Sequence, residues 1–238
     1  MKNAYIFCKS FILNKERIEI IKINELTENL GLSENIYIAA DSGLETIRKF
    51  DIVPDVIIGD FDSVEPKILD YYKSQENNIN NTNNKITKNI RIIKHPVQKD
   101  DTDSMLAVKY ALEAGYKNII IVGGTDGRID HTLANLLCLR YIKNHGGHGR
   151  ITDGCNRIRY ISNAKTRIYK NYKYISIIPL NPEIRGVTLT GFFYSLENAS
   201  VSSDEPYTVC NEIAENCEYG DIEILDGEAL ICECDDVY

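Results

Sequence analysis

Aspartates recur in this chain at the points where apolar runs stop. Val56-Ile57-Ile58 leads into Gly59, Asp60, Phe61, Asp62 and Ser63. The apolar run reads as a buried strand, and the glycine permits a sharp exit from it. Asp60 and Asp62 then offer hard oxygen ligands two residues apart, the kind that hold Mg²⁺ together with substrate phosphates. The same residues also describe an ordinary loop in which Ser63 caps the next helix. On this stretch alone both readings stand.

A second acidic cluster follows the apolar segment 90–94. In Gln98-Lys99-Asp100-Asp101-Thr102-Asp103 a strand hands over to a helix. A helix start favours Asp and Thr through capping and the dipole. Three aspartates within four residues exceed that need, because they repel one another, and a divalent cation is the simplest offset. Lys99 can neutralise part of this charge or touch a phosphate.

Gly123-Gly124-Thr125-Asp126-Gly127-Arg128 is a glycine-rich turn between an apolar strand and a leucine-rich helix. Backbone N–H groups in such a turn cradle phosphate, and an arginine beside it supplies a bidentate fork. It is not a GxxxxGK[ST] loop. Asp130 and His131 open the helix, and His131 is either an acid or base or a capping and positioning residue. In the second half, Gly191-Phe192-Phe193-Tyr194 lies in β context. Alternation predicts Phe192 and Tyr194 on one face and Phe193 on the other, with Tyr194 able to present its ring to a flat or cationic ligand.

These residues need elements to position them. Up to about residue 150 the chain repeats strand, polar loop, helix. Strands are predicted at 4–8, 36–40, 55–58, 90–94 and 118–122, with a further β-prone stretch at 18–23. Helices are predicted at 24–30, 44–50, 65–72, 103–114 and 132–144, the last closed by Gly146-Gly147-His148-Gly149. This pattern predicts an α/β fold, a mostly parallel sheet with helices on both faces. Ligands gather at the carboxyl ends of such strands, so Asp41, Asp60, Asp62, Asp100, Asp103, Arg128 and Asp130 can share one rim. Residues 75–90 are Asn-rich and read as a long surface loop.

After Cys155 short β-prone stretches dominate: 157–161, 174–178, 187–190, 192–196, 207–211, 221–225 and 229–232. The last two are predicted to pair as a hairpin across Asp226-Gly227. Together these predict a C-terminal all-β sandwich, with an α/β domain over 1–155 and the β domain over 156–238.

Composition narrows the function. The chain has 238 residues, 43% hydrophobic and 26% charged, with a net charge of −8. That charge argues against nucleic acid as a partner. No apolar run has membrane length, and the N-terminal apolar stretch is short for a signal peptide. The expectation is a cytoplasmic protein with no membrane association. Seven scattered cysteines without a CxxC pair make a zinc site an unfavoured reading.

Taken in order, Gly-Asp-Phe-Asp-Ser at 59–63, Lys-Asp-x-Thr-Asp at 99–103 and Gly-Arg-x-Asp-His at 127–131 follow Asp41-Ser42-Gly43. Further on come the segment 186–196, Gly-Val-Thr-Leu-Thr-Gly-Phe-Phe-Tyr-Ser-Leu, and Cys210-Asn211-Glu212. Over roughly 36–212 this set resembles the thiamine pyrophosphokinase (thiamine diphosphokinase) family. The resemblance implies a homodimeric, Mg²⁺-dependent transferase with active sites at the subunit interface. It would move a pyrophosphoryl group from ATP to the thiamine hydroxyl, giving thiamine diphosphate and AMP. By motif, Asp60, Asp62, Asp100 and Asp103 would hold Mg²⁺ and polyphosphate, with Arg128 in the catalytic set. Asp41, Ser42, Gly43, Lys99, Thr102, Gly127, Asp130 and His131 would shape the ATP site, and Gln98, Tyr194 and Asn211 would contact thiamine.

Two positions depart from the family pattern. Cys210 replaces a usual serine, leaving a weak thiol donor. Asp126 replaces a small residue and either binds a second metal or faces solvent. The Asn-rich tract is an insertion. The acidic loops alone also fit a Mg²⁺-dependent phosphohydrolase, and a non-catalytic thiamine or nucleotide sensor is a third reading.

Overall fold

The computed structural model describes residues 2–11, 35–76, 90–96, 98, 100–205 and 207–236. The predicted elements at 18–23 and 24–30, residues 77–89 of the Asn-rich tract, and Lys99 lie outside the described residues. By contacts the chain divides into Met1–Gly154 and Cys155–Tyr238.

In the first unit, strands β1 (Asn3–Phe7), β2 (Ile36–Ala40), β3 (Val56–Gly59), β4 (Arg91–Lys94), β5 (Asn118–Val122) and β6 (His148–Thr152) pair in the order β4-β3-β2-β1-β5-β6. Every pairing among them is parallel. The chain order reverses between β1 and β5, which opens a crevice at the carboxyl ends of those two strands. Helices α1 (Gly43–Arg48), α2 (Pro66–Glu76), α3 (Asp103–Glu113) and α4 (Ile129–Asn144) connect the strands.

Alternation divides β1, β2, β3 and β5 between two buried faces. Tyr5, Phe7, Ala39, Ile57, Ile120 and Val122 pack with Leu44 and Ile47 of α1 and Ile68, Leu69 and Tyr72 of α2. Ala4, Ile6, Ile38, Ile58, Ile119 and Ile121 point the other way and are also buried. Helix α3 packs on β1, β2 and β3, and α4 packs on β6. The runs read as near-continuous Ile and Val because both faces are covered.

Two features of this unit differ from the sequence expectation. Of residues 146–149, read as the close of a helix, His148 and Gly149 already belong to β6, whose only large apolar residue is Ile151. Its pairing with β5, rather than its own composition, makes it a strand. Ser63 does not cap the following helix. That helix begins at Pro66, and the Ser63 hydroxyl donates to Asp41 instead.

The second unit holds β7 (Asn156–Tyr169), β8 (Tyr174–Pro179), β9 (Glu183–Thr190), β10 (Leu196–Ser202) and β11 (Tyr219–Cys234). All its pairings are antiparallel: β7, β8 and β9 each pair with β11, and β10 pairs with β9. The core gathers Ile161, Ile168, Ile177, Ile184, Val187, Leu189, Ile222, Ile224 and Ile231.

The predicted hairpin at Asp226-Gly227 is absent. Residues 221–225 and 229–232 belong to the one strand β11, which pairs with β7 on both sides of a register shift between Ile224 and Glu228. Gly227 takes φ 111°, and its N–H donates to Asn163 Oδ1 at 2.8 Å. A bulge of this kind uses the same glycine as a tight turn but lets the strand continue. The stretch 192–196 is likewise not a strand before Leu196. Phe192 is buried, whereas Phe193 and Tyr194 are 68% and 65% exposed, so the alternation expected of them does not occur. Among the described residues, no helix is long and apolar enough to cross a membrane.

Candidate active site

The sheet of the first unit delivers its polar residues to one cleft. β2 ends at Asp41, β3 at Asp60, β5 at Gly123-Gly124, and the loop after β4 reaches Thr102 and Asp103. The cleft encloses about 580 Å³. Its wall includes Asp41, Ser42, Asp60, Asp62, Thr102, Asp103, Gly127, Arg128 and His131, all predicted from sequence.

Three carboxylates converge within it. One oxygen from each of Asp41, Asp60 and Asp103 lies within 4.8 Å of the other two. Oxygens around a Mg²⁺ at about 2.1 Å stand at most about 4.2 Å apart, so this triangle needs little contraction to hold the ion. Asp41 takes a left-handed backbone, φ 46°, and its N–H donates to the Ile58 carbonyl at 2.7 Å. Its Oδ2 accepts the Ser63 hydroxyl. Its Oδ1 is buried without a hydrogen-bond partner. A buried carboxylate oxygen in that state is costly unless a cation or donor meets it. The residues present therefore fit a hard divalent cation.

The other predicted residues are distributed as follows. Asp62 lines the cleft outside the three-oxygen group, and its N–H donates to Asp60 Oδ1 at 3.3 Å. Asp100 and Gln98 are exposed and are not among the lining residues. Thr102 caps α3, accepting the Met105 N–H. Gly43 does not face the cleft. A Cβ there would sit 1.8 Å from the Phe7 carbonyl oxygen, so this glycine lets α1 close on β1. Arg128 and Asp130 bind each other through a two-pronged fork, Nε to Oδ1 at 3.1 Å and Nη2 to Oδ2 at 2.5 Å, on an exposed surface. The Arg128 hydrogen bond holds the Asp130 carboxyl down at about 2.

Asp126 neither points to solvent nor joins the three-carboxylate cluster. Its Oδ2 accepts the Ser10 hydroxyl at 2.7 Å and the Phe11 N–H at 2.9 Å, pinning the loop after β1 to the glycine turn. Ser10 is held further by Thr46 and Lys49. Sequence reading missed Ser104 and Asn135, which line the cleft, and Ser10, which is bonded to Asp126 in its wall. Their only signal was a polar residue in an otherwise apolar helix face, as at Asn135.

The second unit contains Tyr194 and Asn211. Asn211 is buried, accepts the N–H groups of Tyr194 and Glu212 on Oδ1, and donates from Nδ2 to the Tyr194 carbonyl at 2.8 Å. It thereby fixes the Tyr194 backbone while the ring stands exposed, edge-on to Phe193 at 4.9 Å. Cys210, with φ 58°, is exposed beside it.

Fold and site together define a two-unit protein. An α/β unit carries an acidic, cation-suited cleft at its switch point, and an antiparallel β unit follows it. Comparison with known proteins narrows the class. The profile described as "Thiamin pyrophosphokinase, catalytic domain" matches residues 27–148, and "Thiamin pyrophosphokinase, vitamin B1 binding domain" matches 160–224. Thiamine pyrophosphokinase of Bacillus subtilis is 31% identical over 180 residues, covering 75% of this chain and 78% of that protein. Thiamin pyrophosphokinase 1 of Caenorhabditis elegans is 26% identical over 204 residues, covering 80% and 76%. The crystal structure of the Bacillus subtilis enzyme superposes with a TM-score of 0.81 at 24% identity, covering 99% of this chain and 100% of that one. That of the Candida albicans enzyme gives 0.72 at 16%, covering 98% and 89%. At those identities the structural likeness is one of fold. The chain belongs to the thiamin pyrophosphokinase family.

Proposed function

We propose that this chain transfers a pyrophosphoryl group from ATP to the hydroxyethyl oxygen of thiamine, giving thiamine diphosphate and AMP. Mg²⁺ would be held by Asp41, Asp60 and Asp103. The observation that carries the reading is the convergence of these three carboxylates, one with an unpartnered buried oxygen, at the carboxyl rim of the sheet in a member of this family.

Charge accounts for the requirement. Asp41, Asp60, Asp62, Asp103 and Asp126 line the cleft against Lys9 and Arg128. An ATP polyphosphate enters such a surface only with counter-charge. A bound divalent cation would neutralise phosphoryl oxygens as charge develops during transfer. The protein's own part is to orient. The Ser63 hydroxyl fixes one Asp41 oxygen, and Asp130 holds the Arg128 guanidinium at the mouth of the glycine turn. In the transfer, the thiamine hydroxyl oxygen attacks the β-phosphorus and gives up its proton to a cleft carboxylate or to water, the bond from that phosphorus to the oxygen bridging to the α-phosphorus breaks, and AMP leaves. Positioning and charge neutralisation supply most of the acceleration in such reactions.

In the second unit the Tyr194 ring is the proposed platform for the cationic thiazolium of thiamine, with Asn211 acting through the Tyr194 backbone. The active assembly is proposed to be a homodimer, as the family resemblance implies, and the setting cytoplasmic, in keeping with free cysteine thiols. Incubation with ATP, Mg²⁺ and thiamine, followed by separation of products, tests the reading. Thiamine diphosphate with AMP supports it. Phosphate release that ignores thiamine supports a hydrolase, and thiamine binding without turnover supports a sensor.

A further inference from the structure

Along the cleft wall runs a hydrogen-bond chain whose direction follows atom by atom. Asn135 Nδ2 lies 2.9 Å from the Gly124 carbonyl oxygen. A carbonyl can only accept, so that end of the amide is the NH₂ group and Oδ1 faces Ser104. Ser104 Oγ lies 2.6 Å from Asn135 Oδ1. An amide oxygen can only accept, so the Ser104 proton points to Asn135. Thr102 Oγ1 lies 3.1 Å from Ser104 Oγ. With the Ser104 proton already committed, the Thr102 hydroxyl is the donor of that pair. Thr102 Oγ1 also accepts the Met105 N–H at 3.3 Å.

Thr102 lines the cleft next to Asp103. Its proton faces backwards, so it meets the cleft as an acceptor. Ser104 and Asn135 are only 8% and 6% exposed, although both contribute to the cleft wall, and Thr102 is exposed to it. Free rotation would let a threonine hydroxyl donate to a phosphate oxygen; here the chain behind it removes that option.

We propose that Asn135 is a positioning residue that sets this proton order, so that Thr102 presents the cleft with an acceptor for the water shell of a divalent cation. The same side chain ties the Gly124 turn to the start of α3, so the glycine turn and the Thr102 cap keep one geometry. Thr102 thus extends the acceptor surface of Asp41, Asp60 and Asp103. The inference rests on the cation reading given above.

The test is Mn²⁺ binding to the full chain, followed by electron paramagnetic resonance without nucleotide or turnover. Ser104→Ala leaves the Asn135–Gly124 contact in place but frees the Thr102 proton. It is expected to weaken Mn²⁺ binding about tenfold, the scale of outer-shell substitutions at metal sites. Thr102→Val is expected to weaken it similarly. In the double variant the two losses do not add, because Ser104 acts through Thr102. Asn135→Ala is expected to lose at least as much as Ser104→Ala; should it fail to fold, the Thr102–Ser104 cycle decides. Thermal unfolding midpoints track folding, and a purely structural role would shift them without making the two sites interdependent. Wild-type-like Mn²⁺ affinity in Ser104→Ala, or losses that add, overturns the inference alone. No Mn²⁺ binding by the wild-type chain overturns the cation reading and the inference with it.

Discussion

The Ser63 hydroxyl donates to one oxygen of Asp41, while the other oxygen of that carboxylate is buried with no hydrogen-bond partner. The serine holds the carboxylate in place, and one oxygen of Asp41 forms a triangle with oxygens of Asp60 and Asp103. Asn at 41, 60 or 103 keeps the shape and removes the charge. Each substitution is expected to lower Mg²⁺-dependent turnover at least about a hundredfold with the protein still folded. Ser63→Ala, acting through Asp41, is expected to cost about tenfold, read as a higher Mg²⁺ requirement. Near wild-type turnover in a folded Asp60→Asn or Asp103→Asn variant would remove the metal assignment.

The Arg128–Asp130 fork makes a pH prediction. Its hydrogen bond lowers the Asp130 carboxyl from 3.8 to about 2. A depressed carboxylate stabilises the folded state above its unfolded value and loses that contribution as pH falls through the folded one. The fork's contribution to stability is therefore full above about 4 and fades between about 4 and 2, the folded carboxylate itself taking up its proton only around 2. Carboxyl titration by NMR should show Asp130 as a low outlier, and Asp130→Asn should free Arg128 and raise KM for ATP more than it lowers kcat. A titration midpoint for Asp130 near 4 would contradict the fork.

Asn211 offers a second separation of roles. Its side chain makes two hydrogen bonds to the Tyr194 backbone and a third with the Glu212 N–H, so Asn211→Ala should loosen that loop and lower stability by about 1–3 kcal/mol. Tyr194→Ala should leave stability nearly unchanged, since the ring is exposed. Both should raise KM for thiamine. Denaturant melts combined with steady-state kinetics distinguish the two, and an unchanged KM in Tyr194→Ala would exclude the ring as the platform.

In the second unit Glu233 is fully buried and accepts from Arg157 Nε at 3.0 Å and Arg159 Nη2 at 2.7 Å. Removing the shared carboxylate leaves two partly buried guanidinium groups unpaired. Breaking such a cluster costs roughly 3–5 kcal/mol, so Glu233→Gln is expected to lower the unfolding midpoint sharply. A change of under about 1 kcal/mol in a denaturant melt would show that the arginines find other partners.

Much of this was legible in the sequence because local chemistry decided it. Strands covered on both faces appear as plain Ile and Val runs, and the polar residue after each run marks the carboxyl rim, which is why Asp41, Asp60 and Asp103 could be placed on one edge. What sequence could not show was which carboxylates meet. Asp41 enters the triangle through its left-handed backbone and Ser63, and Asp100 sits exposed although its motif is as acidic as its neighbours. Asp126, an isolated departure in the sequence, turns out to anchor Ser10 and Phe11 from more than a hundred residues away, a contact no local pattern encodes. β6 and the bulge at Gly227 were misread for a related reason. Pairing with a neighbouring strand, not composition, set both.

The central claim is that two phosphorus atoms move together from ATP to thiamine. It is tested most directly with ATP labelled at the γ-phosphorus, Mg²⁺ and thiamine, following label and nucleotide products together. The account predicts that the label appears in the terminal phosphate of thiamine diphosphate, with AMP formed in equal amount. Label in free phosphate with ADP, or release that proceeds equally without thiamine, would contradict it.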